Sequence, residues 1–232
     1  MDEDRNDKPL TATVGRFTLT VFGAESAAPR PVLYLHQAAR DAAAVRRAAP
    51  FDYALVCIDG TDWEADFSPW PAPRAFKTGD DFSGGAPAYL RTLTGEILPA
   101  AERMLSFEPE KRGLIGYSMA GLFAAYALYE TDAFQWFASV SGSLWFDGFL
   151  DYALKGAKRP APGKLYLSLG DREAVTKNAR LAAVARCTEQ FYVHIRDSCG
   201  ACRYEMNKGG HFDDPAGRIA RAVAWLTEGK TI

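Results

Sequence analysis

Apolar residues in this chain fall into short unbroken runs, separated by stretches with helical spacing. The runs PVLYLH (31–36), DYALVCIDG (52–60), KRGLIGY (111–117), WFASVSG (136–142), KLYLSLG (164–170) and ACRYEMN (201–207) predict strands. Runs that are apolar at nearly every position fit strands covered on both faces, the habit of a mostly parallel sheet. TATVGRFTLTVFG (11–23) alternates instead and predicts one or two early strands. An Ala/Arg-rich segment at 39–49 predicts a helix. Residues 87–105 carry Leu90, Leu93, Ile97 and Leu98 at helical spacing, with Pro87 suited to a helix start and Pro99 expected to kink or split the helix. Ser118 to Glu130 is apolar all round, which predicts a helix buried in the centre of the molecule. The last helix opens at Asp214-Pro215 and turns Ile219, Ala222, Val223 and Leu226 inward. Residues 61–86, with Trp63, Trp70, three prolines and several glycines, have no periodicity and predict a long loop of the kind that tends to be functional.

Strand and helix therefore alternate over most of the length. The expected fold is α/β, with a mostly parallel central sheet and helices on both faces. In such sheets the chemistry sits at the carboxyl ends of the strands. Residues 1–9 are polar and expected to be a flexible N-terminal segment, leaving 10–232 as a single domain.

Composition narrows the function. Hydrophobic residues make up 48% and charged residues 24% of 232, the mix of a globular protein with a large core. With 27 Lys plus Arg against 29 Asp plus Glu, the net charge is −2, which argues against a nucleic-acid partner bound by bulk charge. No apolar run approaches the roughly 20 residues that cross a bilayer. The start, MDEDRNDKPL, is acidic and unlike a secretory leader, so a cytoplasmic location and no membrane partner are expected. Four cysteines do not make a disulfide scaffold. Cys57 and Cys187 read as small core residues. Cys199-Gly200-Ala201-Cys202 is a C-x-x-C, but no second pair supports zinc, and Cys202 enters a strand where a redox pair of the thioredoxin type would open a helix. The two read as unligated thiols. No metal or cofactor is expected.

The candidate chemistry sits at strand ends. Gly116-Tyr117-Ser118-Met119-Ala120-Gly121 joins a strand to the buried helix. A nucleophile elbow needs small residues two before and two after its serine, and Gly116 and Ala120 provide them. A serine hydroxyl needs a base. Of three histidines, His211 lies in a glycine-flanked loop (KGGHF) between the last strand and the last helix and is the candidate base; His36 ends an early strand and is expected to shape the site, and His194 is expected to be a packed residue. Asp171 and Glu173 follow LSLG, so either can be the triad acid, with Asp213 and Asp214 as fallbacks. The order serine, acid, histidine is that of an α/β-hydrolase. Two main-chain donors are expected to form the oxyanion hole, Met119 N–H and Gln37 or Ala38 after the strand PVLYLH.

These motifs, with DFSPWPAP (66–73), SVSGSLW (139–145), LSLGDRE (167–173) and GGHF (209–212), resemble the esterase branch of the α/β-hydrolases that includes esterase D-like enzymes, siderophore esterases and feruloyl esterases. The resemblance covers about residues 12–228. It implies Ser118 as nucleophile, His211 as base and, three residues after Gly170, Glu173 as acid in preference to Asp171. Two positions depart from the family pattern: His36-Gln37 stands where His-Gly is usual, and Ala120 where many relatives have glycine. The implied activity is cleavage of a small-molecule carboxylic ester through an acyl-enzyme, of siderophore or of aryl or carbohydrate type. Acyl transfer on the same scaffold and non-catalytic binding are the alternatives. His36, Trp70 and Trp145 are expected to line the substrate pocket, with Trp63 and Phe76 nearby; for the aromatics, packing of the 61–86 loop over the site is an equal reading. Nothing in the sequence indicates an oligomer.

Overall fold

The computed structural model describes residues 8–36, 39–49, 52–156 and 160–228; the start of the polar N-terminal segment, residues 1–7, lies outside them. In chain order the elements are β1 (Leu10–Val14), β2 (Phe17–Phe22), β3 (Arg30–His36), α1 (Ala39–Ala48), β4 (Ala54–Asp59), the two-residue strands β5 (Pro71–Ala72) and β6 (Phe82–Ser83), α2 (Ala86–Thr92) and α3 (Leu98–Glu102). There follow β7 (Pro109–Tyr117), α4 (Met119–Glu130), β8 (Trp136–Val140), α5 (Phe149–Lys155), β9 (Lys164–Gly170), α6 (Ala179–Ala182), α7 (Val184–Ile195), β10 (Ala201–Asn207) and α8 (Pro215–Thr227).

Eight strands form one sheet in the order β1-β2-β4-β3-β7-β8-β9-β10. β2 is antiparallel to both β1 and β4, and every pairing from β4 to β10 is parallel. The alternating early segment thus becomes the antiparallel margin, while the unbroken apolar runs become the buried parallel strands, as two-sided burial requires. Alternate residues of one strand feed opposite cores. Leu33 and Leu35 join α1 and α8 on one face, through Ala42, Val45, Ile219, Ala222, Val223 and Leu226. Val32 and Tyr34 join α4 and the other helices on the opposite face. From β3 the chain first adds β4 on one side and then crosses back to place β7 on the other. The carboxyl ends of β3 and β7 therefore flank a topological switch point, where a crevice opens in sheets of this type.

Two segments differ from expectation in detail. The helix predicted over 87–105 is α2, a π-helical stretch Leu93–Ile97 and α3, which ends at Glu102. Pro99 has no N–H and its ring crowds the carbonyl four residues back; the widened turn, with Leu98 N–H donating to Leu93 O, absorbs that conflict without breaking the helix. The loop 61–86 contains the small β5–β6 pair and is pinned by Gly85 N–H to Ala65 O at 2.9 Å and by an Arg16–Asp66 ion pair at 2.5 Å. Cys57 and Cys187 are buried. Among the described residues no helix is long and apolar enough to cross a membrane.

Candidate active site

The turn from β7 into α4 forces Ser118 into φ 58°, ψ −121°, a conformation that costs a non-glycine residue of order 1–3 kcal/mol. The turn is too tight for a side chain at Gly116, where a Cβ would stand 2.0 Å from Ala120 O. Behind the serine, ten residues of α4 are buried, so the helix is anchored and its first N–H groups, Met119 among them, lack intrahelical partners. Gln37, the other expected donor, lies outside the described residues.

His211 Nε2 lies 3.0 Å from Ser118 Oγ, and its Nδ1 lies 2.7 Å from Glu173 Oε2. The other carboxylate oxygen, Oε1, accepts from Gly170 N–H at 2.6 Å and from Arg218 Nη1 at 2.7 Å. Burial by itself would raise the Glu173 carboxyl, but hydrogen bonds from His211 and Gly170, the His211 charge and Ser141 hold it below the usual carboxylate range. A carboxylate so held accepts from Nδ1 and leaves Nε2 unprotonated toward the serine. Asp171 does other work: its Oδ1 accepts from Gly209 N–H at 2.8 Å and fixes the histidine loop. Asp213 accepts from Gly210 N–H at 2.7 Å, and Asp214 caps α8 through Gly217 N–H at 3.1 Å.

Several residues at the site were not singled out from the sequence. Arg218 is fully buried, and besides Glu173 it donates to Ser141 Oγ and Gly210 O, each at 2.8 Å. The signal was there: position 218 falls on the stripe of Ile219, Ala222 and Leu226, where a charge is out of place unless paired. Tyr117 donates its hydroxyl to His211 O and braces the loop from below. Ser143, in the SGSLW stretch, brings its Oγ to 3.5 Å from Ser118 Oγ. Phe212, next to the histidine, is 84% exposed.

The residues expected to line a substrate pocket are more enclosed than that expectation implies. His36 is 1% exposed; its Nε2 meets Tyr89 Oη at 2.7 Å and its ring abuts Phe67 and Phe123. It is a core residue under the site and offers no face to a ligand. Burial pushes its pKa down to about 3, so it stays neutral. Trp145 is 8% exposed and packs on Phe82 beneath the Arg180 guanidinium. Trp70, half-buried, donates Nε1–H to Asp147 O at 2.8 Å and stacks near Tyr152. The aromatics fasten the 61–86 loop to the segment after β8. Among the described residues no group of three His, Cys, Asp or Glu side chains could hold a metal ion.

A mostly parallel sheet flanked by helices, with a strained serine after its central strand, defines the class as an α/β-hydrolase fold. Residues 30–211 match the family described as "Putative esterase", and the chain belongs to that family. A curated relative, "Uncharacterized protein YbbA" of Bacillus subtilis (strain 168), is 25% identical over 149 residues; the match covers 63% of this chain and only 60% of the relative's own length. Among solved structures, the siderophore hydrolase EstA from Aspergillus nidulans superposes with a TM-score of 0.75 at 17% identity, covering 96% of this chain and 94% of that one. An IroE-like serine hydrolase from Shewanella oneidensis gives 0.76 at 18% identity, covering 96% and 80%. The enterobactin esterase FES from Shigella flexneri gives 0.71 at 18% identity, covering 96% and 59%. At these identities the likeness is one of fold.

Proposed function

We propose that this protein is a serine hydrolase that cleaves a small-molecule carboxylic ester through an acyl-enzyme, with residues 10–232 acting as one catalytic domain. The observation that carries the reading is the unbroken hydrogen-bonded line Ser118 Oγ, His211, Glu173 at the carboxyl ends of β7, β9 and β10. His211 Nε2 takes the Ser118 proton as Oγ attacks the ester carbonyl. Glu173 keeps the proton on Nδ1 and balances the imidazolium. The oxyanion forms against Met119 N–H and a second donor from the segment after β3, where Gln37 is our candidate; each such donor is worth about 2.7–4 kcal/mol in the transition state. The imidazolium returns its proton to the leaving alkoxide, and the alcohol departs. His211 then activates water, which releases the acid and restores Ser118.

The relatives named for siderophore hydrolysis put siderophore-type esters first among substrates, with aryl esters next, since the exposed ring of Phe212 stands beside the base. A fluorophosphonate probe tests the reading before any natural substrate is known. Wild-type protein is expected to gain one adduct, on Ser118, and Ser118→Ala none, with thermal unfolding nearly unchanged. Equal labelling of both proteins, or equal turnover of p-nitrophenyl acetate, would refute the nucleophile.

A further inference from the structure

The C-x-x-C sequence sits away from the triad, where α7 ends and the edge strand β10 begins. Both cysteines are half-buried thiols packed against the same hydrophobic cluster, on the α7 side of the sheet. The two thiols are neighbours: Cys199 acts on the Cys202 thiol more strongly than burial does, and Cys199 S–H donates to Ile195 O at 3.4 Å. The backbone holds them there. Cys202 is locked in register opposite Leu165 of β9. Gly200 N–H donates to Pro162 O at 2.8 Å, and a Cβ on Gly200 would stand 2.6 Å from Gly163 O, so this connector lies tight against its neighbour and can only be glycine.

We propose that Cys199 and Cys202 form a reversible dithiol–disulfide site, oxidised by a low-molecular-weight disulfide such as oxidised glutathione. Two neighbouring thiols, three residues apart and packed on one cluster by a pinned backbone, need no large rearrangement to bond, so the second step competes effectively with any external thiol. Losing both S–H protons leaves no orphaned acceptor, because Ile195 O keeps its bond from Ser198 Oγ at 2.8 Å. The order of events follows from the environment. The neighbouring Cys199 thiol, and then burial, hold Cys202 in its protonated form, so Cys199 reacts first. The Cys199 thiolate attacks one sulfur of oxidised glutathione, and one glutathione thiolate leaves and is protonated. Cys202 then attacks the Cys199 sulfur of the mixed disulfide, its proton goes to solvent, and the second glutathione leaves. Two electrons pass from the pair to the oxidant. The inference is independent of the ester chemistry, since none of these atoms belongs to the triad.

The test is incubation of the full chain with oxidised glutathione, followed by intact-mass and peptide analysis. Wild type is expected to lose about 2 Da, with Cys199 and Cys202 in one crosslinked peptide and no lasting glutathione adduct, and dithiothreitol reverses the change. Cys202→Ser is expected to hold a stable glutathione adduct on Cys199, because the resolving sulfur is gone. A lasting adduct on wild type, or two thiols that stay alkylatable after oxidant treatment, would overturn the proposal.

Discussion

The Glu173→Gln substitution tests the triad and its support together. Glu173 Oε1 is fixed by two donors, Gly170 N–H at 2.6 Å and Arg218 Nη1 at 2.7 Å, while Oε2 faces His211 Nδ1 at 2.7 Å. A glutamine must therefore put its carbonyl oxygen where Oε1 is, since its NH2 there would meet two donors. That leaves the NH2 facing Nδ1. The imidazole can accept it only as the tautomer carrying its proton on Nε2, which cannot then take the Ser118 proton. Wrong-tautomer triads lose about 10⁴ in kcat, equivalent to about 5.4 kcal/mol of transition-state stabilisation at 1.36 kcal/mol per decade. The change also leaves Arg218, fully buried, without its counter-charge. Breaking a buried pair costs about 3–5 kcal/mol of folding stability, so the melting temperature falls as well. The assay is kcat/KM for p-nitrophenyl acetate, at a temperature where circular dichroism shows both proteins folded, with Asp171→Asn as the comparison. Asp171 holds only the Gly209 N–H, so its loss is expected to be small. A Glu173→Gln loss below tenfold, or a larger loss in Asp171→Asn, would defeat the tautomer reasoning.

Replacing Gly116 with alanine is expected to prevent folding to a soluble protein, because the new Cβ meets main chain at 2.0 Å; recovery of a folded, active variant would disprove the elbow's steric argument. Arg218→Met is expected to raise the Glu173 carboxyl and shift the acid limb of the kcat/KM profile to higher pH, with Arg218→Lys restoring part of the shift; an unmoved limb in both would leave Arg218 a packing residue only. His36 is buried neutral with a pKa lowered to about 3, whereas the unfolded chain protonates near the ordinary histidine value. Its contribution is complete above pH 6.5 and is lost toward pH 3 at up to about 1.4 kcal/mol per pH unit. Denaturant melts of wild type and His36→Asn between pH 7 and 4 should show the steeper fall in wild type, and parallel slopes would contradict the assignment.

Much of this molecule was legible before any coordinates, and the reason is local. A run of apolar residues at every position states that both faces are covered, so β3, β4, β7, β8 and β9 and the parallel sheet follow from spacing alone. Gly116, Ser118 and Ala120 are readable because a steric demand of the turn falls on residues two apart. What spacing alone left open depends on distance through space. The choice between Glu173 and Asp171 turns on which carboxylate reaches a histidine 38 positions on and which reaches Gly209. Trp70 and Trp145 could be read from sequence as pocket walls or as packing, because sequence gives composition but not orientation; folded, Trp145 packs on Phe82 and Trp70 spends its indole N–H on Asp147 O. Arg218 is the plainest case. The sequence supplied a charge on an apolar stripe, and only the packing of α8 against the ends of β8 and β9 turned that misfit into the group that fixes the Glu173 carboxylate, because a buried cation persists only where tertiary structure delivers its partners.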